Sequence, residues 1–385
     1  MKLRIGIVSP HPVPRTETYK IGRLLAEKGH DVTVFLPYAD RIETESWEGV
    51  EIKGFKTSFL PMIQYPLPRL SWPFSITKEI ANYDFDIVQA CDYDYLTSLI
   101  PLLSRRIPFS RRIITSDAFP GYNWRFGLKP IDFVGKVYTA SIGRLILKGY
   151  SRFVVLHEKM VHIAKRLGVP ENRIKVIGNG VDSSLFKRVA STNDAKEILG
   201  YRKDSHLILY VGRLSFVKGI DILLKAAEIV HKKDEKIKFV IIGDGGEKDR
   251  LMQDVTRSNV DIQFVPRMSQ KRLSAWYSAA DMLVIPSRSE GVPNTMLEAA
   301  AVGLPIIATD VGGISTFLKN EINGMLIPPG SAMTLADKIS YLLSNPDQCQ
   351  KMVANAREEV LKHYRWPDVV QSFESVYESM ILDKV

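Results

Sequence analysis

From Leu207 to Ile327 the chain repeats one cadence, a short apolar run followed by a stretch with helical spacing. The runs are Leu207–Val211, Lys238–Ile242, Ile262–Val265, Met282–Ile285, Pro305–Ala308 and Gly324–Ile327. Helices are predicted between them over Ile220–Val230, Glu247–Thr256, Gln270–Ser278, Asn294–Ala301 and Gly313–Leu318. Two more are predicted from about Ala332 to His363. Strands that are apolar along their length, rather than at alternate positions, are buried on both faces. Alternation with helices then gives a parallel sheet covered on both sides.

The front half opens in the same way. Leu3–Ser9 reads as a strand, Thr18–Glu27 as a helix and Asp31–Leu36 as the next strand, a βαβ unit. The loop from Pro10 to Arg15 is proline-rich, contains His11 and lacks GxGxxG, so no dinucleotide cofactor is expected there. Further strands are predicted at Asp86–Ala90, Arg112–Thr115, Phe153–Leu156 and Ile174–Ile177. After Asn179-Gly180-Val181-Asp182, the polar stretch Lys187–Asp194 is the expected interdomain boundary. In Arg365–Leu382, Val369, Val370, Phe373, Val376 and Tyr377 have amphipathic helical spacing, and this helix is expected to cross back onto the first domain. A chain of 385 residues accommodates two such domains. The reading is therefore an α/β protein of two Rossmann-like domains, residues 1–187 with 365–385, and residues 188–364.

Two segments carry alternative readings. Residues 55–75 combine Phe55, Phe59, Leu60, Met62, Tyr65, Leu67, Leu70, Trp72 and Phe74 with four prolines, which defeats a regular helix. They read as a long apolar loop, either tucked against its own domain or in contact with a lipid. In Ile131–Tyr150, the residues Ile131, Val134, Tyr138, Ile142 and Leu145 keep helical spacing among Lys136, Arg144 and Lys148. A helix packed on the core is expected, with a basic helix resting on a membrane as the second reading.

The formal net charge of +9 suits an anionic partner, such as a nucleotide-sugar or an anionic membrane surface. No aromatic-basic signature or zinc finger accompanies it, so nucleic acid is not an expected partner. Cys91 and Cys349 lie far apart without a CxxC or a Cys/His cluster. Neither structural zinc nor a disulfide framework is suggested, and both are expected to be free thiols, buried or half-buried. The N-terminal apolar run is too short for a signal peptide, and no run of 18 apolar residues occurs. A cytoplasmic location is expected, at the inner face of the membrane if the acceptor lies there.

Ligands of open α/β sheets bind beyond the carboxyl ends of the strands. Four loops of the second domain should emerge there. The first, Gly212 to Gly219, carries Arg213 and Lys218, which could clamp a diphosphate and neutralise a leaving group. The second is Gly243-Asp244-Gly245, whose glycines allow close backbone approach. The third, Val265 to Met268, presents Arg267. The fourth runs Glu290-Gly291-Val292-Pro293-Asn294-Thr295 to Glu298. Pro293 fits the first helical turn there, and the free amides at that helix start favour an anion or a hydroxyl-rich ligand.

Together with Gly303-Leu304-Pro305 leading to Asp310-Val311-Gly312-Gly313, these loops resemble glycosyltransferase family 4, retaining enzymes of the GT-B fold. The resemblance covers most of residues 150–385 and is looser before them. It implies two Rossmann-like domains facing across a cleft, the first binding the acceptor and the second the nucleotide-sugar donor. Glu290 would then hold the donor sugar's hydroxyls, Glu298 the ribose, and Arg213 and Lys218 the diphosphate. Gly212, Gly291, Val292, Pro293, Asn294 and Thr295 would touch sugar and phosphate, and Gly243, Asp244, Gly245 and Arg267 would lie near the nucleotide. Where relatives often carry a catalytic-region histidine, this chain has Asp117, in Thr115-Ser116-Asp117. His157 reads as a packed histidine.

The expected reaction is transfer of a sugar, with retained anomeric configuration, to a sugar or lipid-linked acceptor, with no cofactor and no metal. A nucleotide-sugar epimerase of the same layout and a non-catalytic sugar-nucleotide-binding protein stand as alternatives. Donor base, sugar, acceptor and oligomeric state are left open by the sequence.

Overall fold

The apolar runs become strands because burying each Val, Leu or Ile among them contributes roughly 1.5–3 kcal/mol, and a sheet sandwiched by helices buries both faces. The computed structural model describes residues 1–10, 16–38, 44–56, 58–60, 65–67, 77, 80, 82–256 and 260–382. It divides into two units, Met1–Trp124 with Leu128–Asn179 and Trp366–Val385, and Gly180–Arg365 with Arg125–Gly127. The division falls ahead of the boundary expected after residue 187. The intervening segment packs on the second unit: Val181 N–H donates to Tyr364 O at 2.7 Å, and the Phe186 ring meets Tyr277 edge-on.

In the first unit the strands are β1 (Arg4–Val8), β2 (Asp31–Tyr38), β3 (Thr44–Trp47), β4 (Val50–Lys56), β5 (Ser58–Leu60), β6 (Tyr65–Leu67), β7 (Ile87–Cys91), β8 (Arg112–Ser116), β9 (Arg152–Val155) and β10 (Ile174–Val176). The main sheet has the order β10-β9-β8-β7-β1-β2-β4-β3 and is parallel except for β3, which runs antiparallel to β4 at the edge. β5 and β6 pair separately as an antiparallel ribbon. The expected long loop of residues 55–75 thus contains strand at three places. Its remaining residues 57, 61–64 and 68–75 lie outside the described residues, as does His11 to Arg15 of the proline-rich loop.

Trp366–Leu382 is a helix with one apolar face, as its spacing predicts, and it belongs to this first unit. Trp366, Val369, Val370, Phe373, Val376, Tyr377 and Met380 share one apolar core with Leu3, Ile5, Ile7, Ile21, Leu25, Val32 and Val34. Polar ties help fix its register. Tyr377 Oη donates to Gln89 Oε1 at 2.6 Å. His30 Nδ1 accepts from Leu3 N–H at 3.2 Å, which leaves Nε2 to carry the proton toward Glu374, 3.0 Å away.

The second unit holds β11 (His206–Val211), β12 (Ile237–Ile242), β13 (Ile262–Val265), β14 (Met282–Ile285), β15 (Ile306–Thr309) and β16 (Met325–Ile327). Their order is β13-β12-β11-β14-β15-β16, and every pair is parallel. The helices Ile220–His231, Lys248–Thr256, Ala332–Ser344 and Pro346–His363 contribute to a core that includes Ile208, Phe239, Ile241, Val284, Ile307, Leu223, Ala227 and Ile339, so that the α/β class is as read. A short helix, Thr192–Ile198, begins within the polar stretch Lys187–Asp194 and runs past it; Ser191 Oγ caps it by accepting from Asp194 N–H at 3.2 Å. Among the described residues no helix is long and apolar enough to cross a membrane.

Candidate donor site and its surroundings

The order of the second sheet locates its crevice. The chain proceeds from β11 outward through β12 to β13, then returns to the other side of β11 as β14. Ligands of open α/β sheets bind beyond the strands' carboxyl ends where the winding direction reverses, here between β11 and β14. The loops after these two strands carry Arg213 with Lys218, and Glu290.

Lys218 Nζ donates to Glu290 Oε1 at 2.6 Å, and Ser287 Oγ donates to the same oxygen at 2.7 Å. Glu290 is 6% exposed. A carboxylate so buried is stabilised only when paired and hydrogen-bonded, and both conditions are met here. The pair is a cation and an anion held together at the switch point. Ser287 has a local signal, three residues before Glu290, that the sequence reading did not use.

The Glu290 loop is fixed from both sides by glycine backbone. Gly219 adopts φ +66°, and a Cβ there would stand 2.1 Å from Pro286 O; Gly312 adopts φ +55°, and a Cβ there would stand 1.7 Å from Glu290 O. Only glycine permits both the left-handed conformation and the contact. Gly313 N–H closes the second side by donating to Gly291 O at 2.9 Å.

Arg288 bolts the two loops together. Its backbone N–H donates to Val217 O at 2.7 Å, its Nη1 to Phe216 O at 2.8 Å, and its fork grips Asp221 at 2.8 and 2.7 Å. The guanidinium also lies over the Phe216 ring, 4.2 Å from its centre. Burial pushes the Asp221 carboxyl up, but the Arg288 hydrogen bond and charge outweigh burial and hold it below the usual carboxylate range. A carboxyl depressed on folding stabilises the native state above its unfolded value of about 4 and loses that contribution as pH falls through the folded value. Asp221→Asn is therefore expected to lower stability at neutral pH, with the gap to wild type closing as the solution is acidified below about pH 4. Denaturant midpoints measured across pH check this; two curves that stay parallel would remove the bolt from the account.

The helix after this loop runs Asn294–Val302. Pro293 stands just before it, at φ −65° and ψ 125°, rather than within the first turn as expected. Its extended ψ aims its carbonyl at Met296 N–H, 3.1 Å away, so it acts as the cap residue. Val292 is buried beneath the turn, while Gly291, Asn294 and Thr295 are half-buried. The first amides of any helix lack intrahelical acceptors, which is the property an anion site requires.

Glu298 lies in the second turn and is buried. Tyr277 Oη donates to its Oε2 at 2.8 Å, and Gln270 Nε2 to its Oε1 at 3.3 Å. Burial, then the charge of Glu298, drives the Tyr277 hydroxyl well above its ordinary pKa, so it remains a donor. Tyr277 and Gln270 have no local signature linking them to Glu298. They lie on the preceding helix, Gln270–Ala279, and only tertiary structure brings them in.

The neighbouring loops also leave the strands' carboxyl ends. Gly212 N–H donates to Ile242 O at 3.0 Å, and Gly243 N–H to Val265 O at 3.0 Å. A Cβ at Gly243 would lie 1.9 Å from Gly212 O, so the loops after β11 and β12 touch backbone to backbone. Leu214 N–H donates to Asp244 O at 2.9 Å, and a Cβ at Gly245 would lie 2.3 Å from Leu214 O. Arg213, Asp244 and Arg267 are exposed.

Asp117 is the one named residue carried by the first unit. It follows β8 and lines a hollow of about 60 Å³ with Glu17, Thr18, Asp92, Ser116 and Asn179. That hollow lies at the carboxyl ends of β7, β8 and β9, beside the helix Trp366–Leu382. His157 is buried with no hydrogen bond to either ring nitrogen, and burial pushes its pKa down to about 4. It is neutral and packed, as read. Cys91 is a buried free thiol, pushed up to about 12 by burial, and Cys349 is free and half-buried.

The description "Glycosyltransferase Family 4" matches residues 16–185, and "Glycosyl transferases group 1" matches residues 191–359. The chain is 30% identical to an uncharacterized glycosyltransferase of Methanocaldococcus jannaschii, over 92% of this chain and 90% of that one. Its structure is similar to that of sucrose-phosphate synthase from Thermosynechococcus elongatus, with a TM-score of 0.84 and 22% identity over 99% of this chain and 100% of that one. HepE of Anabaena, solved in complex with UDP-glucose, gives a TM-score of 0.77 and 17% identity over 98% of this chain and 100% of that one. These structural likenesses show the fold, two parallel-sheet Rossmann-like domains of the GT-B type. By its family matches and its archaeal relative, this chain belongs to the group 1 glycosyltransferases of family 4, and it is a transferase.

Proposed function

We propose that the chain moves a sugar from a nucleotide-diphosphate donor to an acceptor hydroxyl and retains the anomeric configuration. The observation that carries this reading is the Lys218–Glu290 pair at the switch point, beside a helix start. A diphosphate entering there would meet Lys218 and Arg213, while Glu290 would accept hydrogen bonds from sugar hydroxyls. The bond from the anomeric carbon to the diphosphate oxygen breaks as the acceptor oxygen bonds that carbon on the same face. The acceptor's proton passes to the departing phosphate oxygen, and the nucleoside diphosphate leaves. Negative charge grows on the diphosphate during this step, and preorganised cations lower its energy. Glu298 and Arg267 would contact the nucleotide, together with the Gly243–Gly245 turn. Asp117 would accept a hydrogen bond near the reacting carbon.

Arg213 and Lys218 supply the charge compensation that other transferases draw from a divalent cation, so no metal and no cofactor are proposed. HepE was solved with UDP-glucose, which makes UDP-sugars the first donors to test. A sugar or a lipid-linked glycan is proposed as acceptor, reached from the cytoplasmic side of the membrane.

The test is a thermal-shift screen of UDP-, GDP- and ADP-sugars, followed by transfer assays with the donor that binds. A donor present at about 100 times its Kd should stabilise the protein by about 2.7 kcal/mol, and transfer should proceed undiminished in excess chelator. Loss of transfer on chelation would overturn the metal-free reading. Conversion of the donor alone into an epimer, followed by NMR, would replace transferase chemistry by epimerisation.

A further inference from the structure

The helical stretch from Lys129 to Lys148 is built inside out. It comprises an α-helix, Lys129–Tyr138, a π-helical turn, Thr139–Gly143, and a second α-helix, Arg144–Lys148. A surface helix ordinarily turns its large apolar residues inward. Here the face toward the domain is mostly small or polar through the first helix and the π turn. A Cβ at Gly135 would stand 3.0 Å from Pro120, and one at Gly143 2.6 Å from the Tyr93 ring. Between them Thr139 Oγ1 donates to Pro120 O at 3.0 Å and meets Tyr93 Oη at 2.8 Å. Only toward the end do Ile146 and Leu147 turn inward.

The outward face carries the bulk. Phe133 is 68% exposed, Val134 66%, Val137 50%, Ile142 50% and Leu145 68%, with Ile131 and Leu128 exposed beside them. The helix that was expected to pack on the core instead displays its apolar residues. Single exposed apolar side chains are ordinary, but a contiguous group marks an interaction surface. Lys129, Lys136, Arg144 and Lys148 flank the group, all exposed, against the single acid Asp132.

We propose that this face rests in the interface of an anionic lipid bilayer, its apolar side chains below the headgroups and its lysines and arginine among them. Charge decides between the occupants. A second copy joined by two-fold symmetry would set this face against itself and bring like cations together, whereas anionic headgroups complement them. The surface deepens the reading of a membrane-borne acceptor, because it would hold the first unit at the bilayer where that acceptor lies, but the docking itself does not depend on transfer.

The test is sedimentation of the full chain with phosphatidylglycerol–phosphatidylcholine vesicles and with phosphatidylcholine vesicles alone. Wild type should bind the anionic vesicles and be weakened by added salt. The variant Phe133→Ser, Val134→Ser, Leu145→Ser should lose at least about tenfold in partitioning while keeping its melting temperature and its donor-induced thermal shift. Equal binding by wild type and variant, or no binding by wild type, would overturn the proposal. So would a wild-type dimer in analytical ultracentrifugation, dissolved by the same substitutions, with no vesicle binding. Vesicle binding without transfer to any lipid-linked acceptor would leave the docking in place and sink the acceptor reading.

Discussion

Lys218→Ala is expected to lower transfer by about 10²–10³-fold, the usual loss when one preorganised group facing a developing anion is removed. Two effects combine. The diphosphate loses a cation, and Glu290, buried and bonded to Lys218 at 2.6 Å, keeps the Ser287 hydroxyl but loses its cation partner. Removing one member of a buried pair destabilises because the other charge remains desolvated. Lys218 is partly open to solvent, at 21% side-chain exposure, which keeps the expected stability loss to about 2 kcal/mol. The activity loss should therefore greatly exceed any loss of folded protein, and turnover measured alongside the melting temperature separates the two. Glu290→Gln in the Lys218→Ala background should restore stability without restoring transfer. Arg213→Ala should lower transfer with little change in stability, because that side chain is exposed. Wild-type turnover in both Arg213→Ala and Lys218→Ala would end the role assigned to these cations.

Gly312→Ala should destabilise the second unit by about 2–5 kcal/mol. The added carbon would sit 1.7 Å from Glu290 O at a φ of +55°, so either the Glu290 loop or the following turn must move. Gly330→Ala is the control. Its φ is +85°, but nothing lies within 4 Å of the added carbon, so it reports backbone strain alone at about 1 kcal/mol. Denaturant midpoints should separate the two variants clearly. If Gly312→Ala matches the control, the loop yields without resistance and its clamping by glycine is wrong. If the clamp sets the position of Glu290, the folded fraction of Gly312→Ala should also turn over more slowly.

The second unit was legible almost to its strand ends because its strands are buried on both faces, and continuous apolar runs such as Met282–Ile285 have few alternatives. The first unit was harder. β3 and β4 went unread: β3 is a short polar edge strand, TESW, and β4 alternates Val50 and Ile52 with Glu51 and Lys53 instead of running apolar. Thr192–Ile198 was hidden because a short polar helix buries little; one of its buried side chains is Lys196, held by Ser205 O and Asp281. At the site, spacing within one loop exposed Glu290 and Glu298, whereas Arg288's grip on Asp221 and Tyr277's on Glu298 join residues with no common motif. In Ile131–Tyr150 the periodicity was right and the orientation was not. Helical spacing tells that one side is apolar but not which side meets the domain. The usable signal was Gly135 and Gly143, small residues where a helix must come close to its neighbour.

The helix Trp366–Leu382 completes a core whose other members begin at Leu3. On a ribosome, which releases residues in order, the first sheet emerges early but must wait for the entire second unit to be synthesised before its outer layer arrives. The earlier-made half is thus the later-finished one, and during that interval its uncovered apolar side is the part of the nascent chain most in need of a chaperone.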